Sequence, residues 1–380
     1  MSQILFLTAY PEEDASCRYR IYQFLPSLSA AGHECTVAPF ATPELFGLLT
    51  SPGRLPRKVS ETFRCSLRRL RRILAAAAYD LVVIHREAFP FFAPAVEKLL
   101  LSRARRGGST KVVFSFDDAI YAGHRDTSTL NHPWLYRWKH GRGYNHVVRD
   151  CDHVIVGNRV LAEYAAPLNR AVTIIPTVVD CAKYRARETC LDIRQPATIG
   201  WMGSQTTAPY LRLVEPALRR IARVHGENVQ FSFVGCPQYK PDFGRSVSSP
   251  FRLQTEISDL HRFDIGLMPL PDDPWTRGKC AFKAIQYMAS GVATVASPVG
   301  ITSEVVHHGV NGFLASSEPE WCDALDRLVR DHRLRLQLAS EARRTIEASY
   351  SLQTWAPRML SLIDQLLGKQ RILERETIAA

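Results

Sequence analysis

The sequence lacks several features that would assign it to a common functional class. No stretch approaches the roughly 18–20 consecutive apolar residues that a membrane-spanning helix needs. Its nine cysteines are scattered, with no Cys-x2-Cys pair and no cysteine–histidine cluster, which argues against a zinc site and a disulfide framework. The apolar start, residues 4–10, has no basic flank and leads into an acidic segment, so it is typical of a first strand and not of a signal peptide. These absences favour a cytoplasmic protein in a reducing environment.

The length and composition fit a globular protein with two domains or one large one. The 380 residues are 46% hydrophobic and 22% charged, which is ordinary for a globular chain. The net charge is +11, and the excess lies in the first half, where residues 1–176 hold 23 basic and 15 acidic side chains. No combined aromatic and basic surface accompanies this charge, which disfavours a nucleic-acid-binding protein.

The first half alternates short apolar runs with helical patterns, which predicts a parallel sheet covered by helices. Candidate strands are residues 4–7, 35–37, 81–84, 112–116, 154–156 and 172–175. Ligands bind beyond the carboxyl ends of such strands. Candidate site residues are therefore Arg18 and Arg20 after the first strand, His85 after the third, and Asp117 and Asp118 after the fourth. The alternatives are surface salt bridges for the arginines and helix capping for Asp118.

The second half repeats this alternation after an aperiodic segment, residues 177–196, which we predict to be a linker. Strands are predicted at 198–201, 229–234, 263–268 and from residue 294. A loop of small residues containing Gly203 and Ser204 precedes a helix predicted to start near Pro209, whose N–H groups are available to a phosphate. Three more helical patterns follow residue 319.

The most informative stretch is residues 277–300. Its apolar residues recur at helical spacing, and Gly291 ends the predicted helix. Lys279 and Lys283 lie one turn apart at the helix start, where unpaired N–H groups and the positive end of the helix dipole favour an anion such as a diphosphate. The alternative is that both lysines are ordinary solvated charges.

This stretch, continued through residues 301–304 and 308–314, resembles the C-terminal domain of retaining glycosyltransferases of family 4. There, a helix ending in a Met-Ala-x-Gly-x-Pro-like turn is followed by a strand, a glycine turn, a glutamate and an Asn-Gly-Phe/Leu turn. The resemblance extends more weakly over residues 1–366. It implies an α/β fold of the GT-B type, with two Rossmann-like domains facing a central cleft. The implied boundaries are an acceptor-side domain at 1–176, the linker at 177–196, a nucleotide-sugar-binding domain at 197–350, a helix at 351–368 crossing back, and a frayed tail at 369–380.

The resemblance implies transfer of a sugar from a nucleotide diphosphate sugar to a carbohydrate or lipid-linked acceptor, as in cell-surface polysaccharide or glycolipid synthesis, without a cofactor. No metal is implied either. Asp150 and Asp152 have the Asp-x-Asp spacing of metal-dependent glycosyltransferases of another fold, but they lie at a predicted helix–strand boundary. The implied donor-binding residues are Arg18, Arg20, Gly203, Ser204, Lys279, Lys283, Gln286 and the amides of Gly300, Ile301 and Thr302, with Glu304 capping or orienting that turn.

The sequence departs from the family pattern at several positions. Asp117 stands where related enzymes carry a histidine near the attacked sugar carbon, and Ser204 where they carry an arginine. Gly278 and Gln286 replace a pair of glutamates, and no glycine-rich loop follows the first strand. The resemblance therefore implies a divergent branch in which Asp117 is the catalytic candidate.

Asp118 is the alternate to Asp117, and His85 and His124 are lesser candidates. Two other functions remain open. One is a nucleotide-sugar epimerase of the same fold. The other is a non-catalytic subunit that binds the donor or a partner glycosyltransferase.

Residues 54–74 hold eight basic side chains and one acid, and from Val59 they form an amphipathic helical pattern. The pattern has two interpretations. The apolar stripe packs on the N-terminal sheet and the arginines are solvated, or the helix rests on an anionic membrane at the inner face and brings a membrane-bound acceptor to the cleft.

Overall fold

The computed structural model describes residues 1–49, 51, 53–90, 95–107, 109–122, 143–187 and 196–369. These residues form two parallel sheets of six strands each. The N-terminal sheet has the order β2-β1-β3-β4-β5-β6. Its strands are β1 (Ser2–Thr8), β2 (His33–Pro39), β3 (Leu81–His85), β4 (Lys111–Phe116), β5 (His153–Val156) and β6 (Val172–Ile174).

The C-terminal sheet has the order β12-β11-β10-β7-β8-β9. Its strands are β7 (Ala197–Met202), β8 (Val229–Val234), β9 (Arg245–Ser249), β10 (Ile265–Met268), β11 (Ala293–Ala296) and β12 (Phe313–Leu314). The chain runs from β7 to β8 on one side, while β10 pairs with β7 on the other. A crevice therefore opens beyond the carboxyl ends of β7 and β10, where such sheets bind ligands.

Helices cover both faces of the sheets. In the N-terminal half they are α1 (Ala15–Arg20), α2 (Leu25–Ala30), α3 (Pro43–Leu49), α4 (Leu55–Leu74), α5 (Ala95–Gly107), α6 (Gly143–Asp150) and α7 (Arg159–Ala165). In the C-terminal half they are α8 (Glu215–His225), α9 (Glu256–Leu260), α10 (Pro274–Arg277), α11 (Phe282–Ala289), α12 (Thr302–Val305), α13 (Glu318–Arg330), α14 (His332–Ser349) and α15 (Leu352–Leu366). Among the described residues of both halves, no helix is long and apolar enough to cross a bilayer.

The predicted α/β fold of the GT-B type is confirmed, and every strand predicted from the sequence is present. Two strands were missed: β9 is a polar edge strand without an apolar pattern, and β12 has only two residues. The helix expected near Pro209 starts as a 3-10 helix, Ala208–Leu213, and becomes α-helical only at Glu215. Pro216 supplies the reason, because it has no N–H to continue the earlier turns and fits the first turn of a new helix.

The C-terminal helix α15 lies against the N-terminal sheet. Met359 and Ile363 pack in one cluster with Phe6 of β1, and His33 of β2 contacts Asp364 at 3.0 Å. Ahead of this helix, Val179 of the predicted linker donates its N–H to the Tyr350 carbonyl and accepts from the Leu352 N–H. The described part of the linker is therefore tied to the crossing segment.

Candidate active site

The N-terminal wall of the site is formed where β3 and β4 end. The two strands pair with His85 opposite Ser115, so the residues that follow them emerge at the same sheet edge. Ser16, on α1, lies against both. Its hydroxyl is 2.9 Å from His85 Nε2 and within 2.8 Å of both Asp117 carboxylate oxygens.

The hydrogen-bond directions among His85, Ser16 and Asp117 follow from their surroundings. Burial, followed by the charges of Arg20 and Arg86, holds the pKa of His85 well below its usual value, so the ring is neutral at neutral pH. The Ser16 hydroxyl donates to Asp117. The His85 Nε2–H must then donate to Ser16, because a hydroxyl has one proton. Asp117 lies at the accepting end of a short hydrogen-bond chain.

The pKa values of the neighbouring carboxylates Asp117 and Asp118 shift in opposite directions. Burial and the charge of Asp118 raise the pKa of Asp117. Burial also acts to raise the pKa of Asp118, but the Lys279 and Arg86 charges outweigh it and the pKa falls below its usual value. Asp118 contacts Arg86 at 3.1 Å and Lys279 at 3.4 Å. One carboxylate is thus fixed as an anion while the other is poised to accept a proton.

Arg86 has a left-handed backbone with φ of 60°, which costs free energy in a residue other than glycine. The Arg86 N–H donates to the Ser115 carbonyl at 2.7 Å. This bond fixes the turn that brings the Arg86 guanidinium to Asp118. Arg86 was not among the site residues predicted from the sequence.

The C-terminal wall carries the two lysines. Helix α11 begins at Phe282, so Lys283 lies in its first turn and Lys279 just before it. Its N-cap, Ala281, has φ of 51°. Lys279 Nζ lies 5.1 Å from the centre of the Trp275 ring. Lys283 Nζ lies 5.8 Å from the centre of the Trp201 ring.

The lysines are close enough to affect each other. Burial lowers the pKa of the Lys283 ammonium to about 7, and the Lys279 charge acts in the same direction while Asp118 opposes it. An anion bound between these ammonium groups would be charge-assisted by both.

Two glycines let the backbone approach residues 277–283, which we call the lysine segment. A Cβ on Gly203 would lie 2.4 Å from the Trp201 ring and 2.8 Å from Lys283 Cε, so the β7 loop packs closely on both side chains. A Cβ on Gly300, which has φ of +58°, would lie 2.2 Å from the Arg277 carbonyl oxygen. Both positions therefore require glycine.

The two walls touch. The Cys280 thiol donates to the Asp117 carbonyl at 3.2 Å, and the Asn158 amide donates to the Gly278 carbonyl at 2.8 Å. A Cβ on Gly157 would lie 2.3 Å from Cys280 Sγ. The lysine segment of the C-terminal domain therefore packs directly against the turn of the N-terminal domain that carries Asp117 and Asp118.

Two family models match the chain. The model described as "Glycosyltransferase Family 4" matches residues 19–183, and the model described as "Glycosyl transferases group 1" matches residues 196–331. The chain belongs to the family 4 type of GT-B glycosyltransferases. No curated protein is significantly similar to it in sequence.

Solved structures share the fold of this glycosyltransferase at low identity. Sucrose-phosphate synthase from Thermosynechococcus elongatus has a TM-score of 0.68 at 15% identity, covering 97% of this chain and 100% of that one. HepE from Anabaena, in complex with UDP and glucose, has a TM-score of 0.68 at 16% identity, covering 96% and 100%. A glycosyltransferase from Rickettsia africae has a TM-score of 0.67 at 14% identity, covering 97% and 99%.

The glycosyltransferase has a buried polar network beneath the site, at the contact between its domains. Its centre is Glu256, which is 2% exposed and was not among the residues predicted from the sequence. Gln286 donates to Glu256 at 2.9 Å and to the Tyr184 hydroxyl at 3.1 Å, so both amide hydrogens are already used. Arg18 lies 3.7 Å from Glu256 and donates to the Glu12 carbonyl. The structure thus places Gln286 and Arg18 in an interdomain contact.

Arg20 lies inside the N-terminal domain and does not line the cleft. Its side chain is 1% exposed and donates to the Ile175 carbonyl. Its charge nevertheless acts on Asp117 and His85 through the interior. Arg20 therefore affects the carboxylate wall without being exposed to a donor.

The other residues predicted to bind the donor do not gather around the two lysines. Ser204 is exposed and its hydroxyl lies 2.7 Å from that of Thr206. Ile301 and Thr302 are buried, and the Thr302 N–H already donates to the Val299 carbonyl at 3.1 Å. Glu304 forms an exposed ion pair with Arg159 of the other domain at 3.3 Å. His124 lies outside the described residues.

Asp150 and Asp152 lie at the helix–strand boundary predicted for them. Asp150 ends α6, and the Asp152 carboxylate accepts the Val112 N–H at 2.8 Å and contacts Lys111 at 3.3 Å. The acid thus binds the backbone of the neighbouring strand. Over the described residues, no group of three or more potential metal ligands occurs.

Proposed function

We propose that the protein is a retaining hexosyltransferase that moves a sugar from a nucleotide diphosphate sugar to a hydroxyl of a carbohydrate or lipid-linked acceptor, in cell-surface polysaccharide or glycolipid synthesis. One observation carries the proposal: Lys279 and Lys283 of the C-terminal domain face Asp117 and Asp118 of the N-terminal domain across a direct domain contact. HepE, which has the same fold, was solved with UDP-glucose. A uridine diphosphate sugar is therefore the first donor to test.

The lysines would take up charge on the departing diphosphate. In the structure Lys279 is paired with Asp118 at 3.4 Å, so the site already holds an anion where the diphosphate would lie. Donor binding would transfer this contact from the carboxylate to the phosphate oxygens. Preorganised cations that meet developing negative charge lower the barrier of the chemical step. Gly203 and Gly300 allow the backbone to close around the same segment.

Asp117 would act at the sugar and the acceptor. Its raised pKa suits a group that accepts a proton from the acceptor hydroxyl. While ionised it would stabilise positive charge at the anomeric carbon. The Ser16 hydrogen bond holds the carboxylate in one orientation, which is the preorganisation that such a role needs.

The proposed reaction is metal-independent, because the two lysines are available to neutralise the diphosphate. We expect transfer to continue in EDTA. Complete loss of transfer that manganese or magnesium restores would contradict this part of the proposal.

A thermal-shift screen with UDP, GDP and ADP and their sugars tests donor binding. A ligand at 100 times its dissociation constant stabilises the folded state by roughly 2.7 kcal/mol. We expect one nucleoside diphosphate and its sugar to stabilise the protein, and that sugar to be transferred when acceptors are added. Stabilisation by none of them would overturn the proposal.

The second candidate is a donor-binding subunit that performs no transfer. Gly278 has no side chain and Gln286 has an amide, so neither supplies the carboxylate that family members carry there. Both amide hydrogens of Gln286 are also already used by the interior. Donor binding without transfer or donor hydrolysis would favour this function.

A further inference from the structure

The outward face of α4 (Leu55–Leu74) carries an exposed apolar stripe. Large apolar side chains along it are between 43% and 66% exposed: Leu55, Val59, Phe63, Leu67, Leu70 and Leu74. At about 100° per residue they fall within a sector of roughly 120° and form one continuous surface. The interpretation in which this stripe packs on the N-terminal sheet is therefore wrong.

The orientation of α4 is fixed by a different set of side chains. Cys65, Arg69 and Ile73, spaced four residues apart, are buried. The Arg69 guanidinium donates to the Thr8 carbonyl at 2.6 Å, and Arg68 donates to the Phe40 carbonyl at 2.7 Å. The helix is thus anchored along one face, and the stripe lies beside that face and remains exposed.

Basic side chains border the stripe. On the helical wheel Arg71 and Arg64 lie next to it, and both are exposed. The acid of this helix, Glu61, contacts Arg64 at 3.0 Å. Both arginines lie along the same side of the apolar stripe. A stripe bordered by guanidinium groups matches the boundary of an anionic bilayer, where acyl chains lie beneath phosphates.

We propose that α4 docks the enzyme on an anionic membrane surface, with Phe63 and Leu67 among the acyl chains and Arg64 and Arg71 at the lipid phosphates. A second copy of this chain fits the same surface less well. A two-fold contact between two such stripes would bring their arginines together, whereas anionic lipid neutralises them. The proposal does not depend on the transfer reaction.

Helix α4 contacts the carboxyl end of β1, in the same sheet that carries the site. Arg69 binds the carbonyl of Thr8, and Thr8 pairs with His85 in the sheet. His85 in turn contacts Ser16, which donates to Asp117. A membrane bound at α4 would therefore present a lipid-linked acceptor to the N-terminal side of the cleft.

Co-sedimentation of the full chain with vesicles tests the proposal. Vesicles of phosphatidylcholine alone are compared with vesicles that also contain phosphatidylglycerol. We expect binding that needs the anionic lipid and falls with salt. Phe63→Ser with Leu67→Ser should weaken it by roughly tenfold or more. Arg64→Gln with Arg71→Gln should weaken it by roughly 30-fold.

Val224→Ser is the matched control, because Val224 is 54% exposed on α8 of the other domain. It should leave vesicle binding unchanged. Leu70→Ser with Leu74→Ser repeats the apolar test at a second position if the first variant unfolds. Transfer to a soluble acceptor by these variants separates loss of docking from loss of activity.

Three outcomes would overturn the proposal. The first is equal partition onto neutral and anionic vesicles. The second is binding that neither pair of substitutions at α4 changes. The third is a dimer by light scattering that Phe63→Ser with Leu67→Ser dissociates in a protein that does not bind vesicles, which would show that a second copy covers the stripe.

Discussion

The two walls of the cleft are built in different ways. On the N-terminal wall, the Asp117 carboxylate accepts hydrogen bonds from Ser16 of its own domain. The neighbouring Asp118 is paired with Arg86 of the same domain. On the C-terminal wall, Lys279 and Lys283 lie over tryptophan rings, and the Lys279 ammonium group contacts Asp118 of the opposite wall. A carboxylate fixed before substrate arrives suits chemistry, and cations that can exchange partners suit donor binding.

The largest effect should come from the N-terminal wall. Asp117→Asn keeps the shape of the side chain but removes its charge and its ability to accept a proton, so we expect the rate of transfer to fall by roughly 100- to 10,000-fold. Steady-state kinetics with saturating donor and acceptor measures the loss. Asp118→Asn is the control. If Asp118→Asn loses the rate and Asp117→Asn does not, the two carboxylates have exchanged roles.

On the C-terminal wall, Lys279→Ala and Lys283→Ala should each weaken donor binding. Loss of one charge-assisted contact costs about 1.5–3 kcal/mol, which is roughly 10- to 150-fold in the dissociation constant. Isothermal titration with UDP measures it. Lys183→Ala is the matched control, because Lys183 is an exposed lysine of the predicted linker. Wild-type affinity in both site variants would remove the lysines from the donor site.

The pH dependence of donor binding should separate Lys283 from its neighbours. With its pKa lowered to about 7, the ammonium is fully present below that pH and is lost above it. Affinity for a UDP sugar should therefore fall as the pH rises from 7, by at most about tenfold per unit. Lys283→Arg, which stays protonated, should flatten this slope. An unchanged slope in that variant would assign the titration to another group.

Ser16→Ala should have the smallest effect of the four. The variant removes the hydroxyl that donates to the Asp117 carboxylate. Only the part of this hydrogen bond that differs between ground state and transition state affects the rate. We expect that part to be about 0.5–1.5 kcal/mol, which is a loss in kcat of roughly three- to tenfold. The KM for the donor should stay the same, because Ser16 belongs to the N-terminal wall. A larger change in KM than in kcat would mean that Ser16 contacts the donor.

The sequence predicted the strands and the lysine pair because both depend on local patterns. Apolar runs of strand length and the spacing of Lys279 and Lys283 can be read without knowing which elements meet. Ser16 and Glu256 could not be selected in this way. Their importance comes from contacts with residues 101 and 30 positions away in the chain, Asp117 and Gln286 respectively.

Helices α4 and α15 show the same limit. Both have an apolar stripe in the sequence, but Met359 and Ile363 of α15 pack on the N-terminal sheet while Phe63 and Leu67 of α4 face solvent. The periodicity of a helix predicts that a stripe exists and not what covers it. For α4 the direction was decided by the buried Arg69 and its bond to Thr8, a contact that no periodicity reveals.

The central claim is that the C-terminal wall binds the donor and the N-terminal wall performs the chemistry. It is tested most directly by calorimetric titration of UDP into the wild-type protein, Lys283→Ala and Asp117→Asn under the same conditions. The account predicts that Lys283→Ala loses roughly 10- to 150-fold in affinity, while Asp117→Asn binds UDP as the wild type does and fails only in transfer. Loss of UDP binding in Asp117→Asn together with wild-type binding in Lys283→Ala would contradict it.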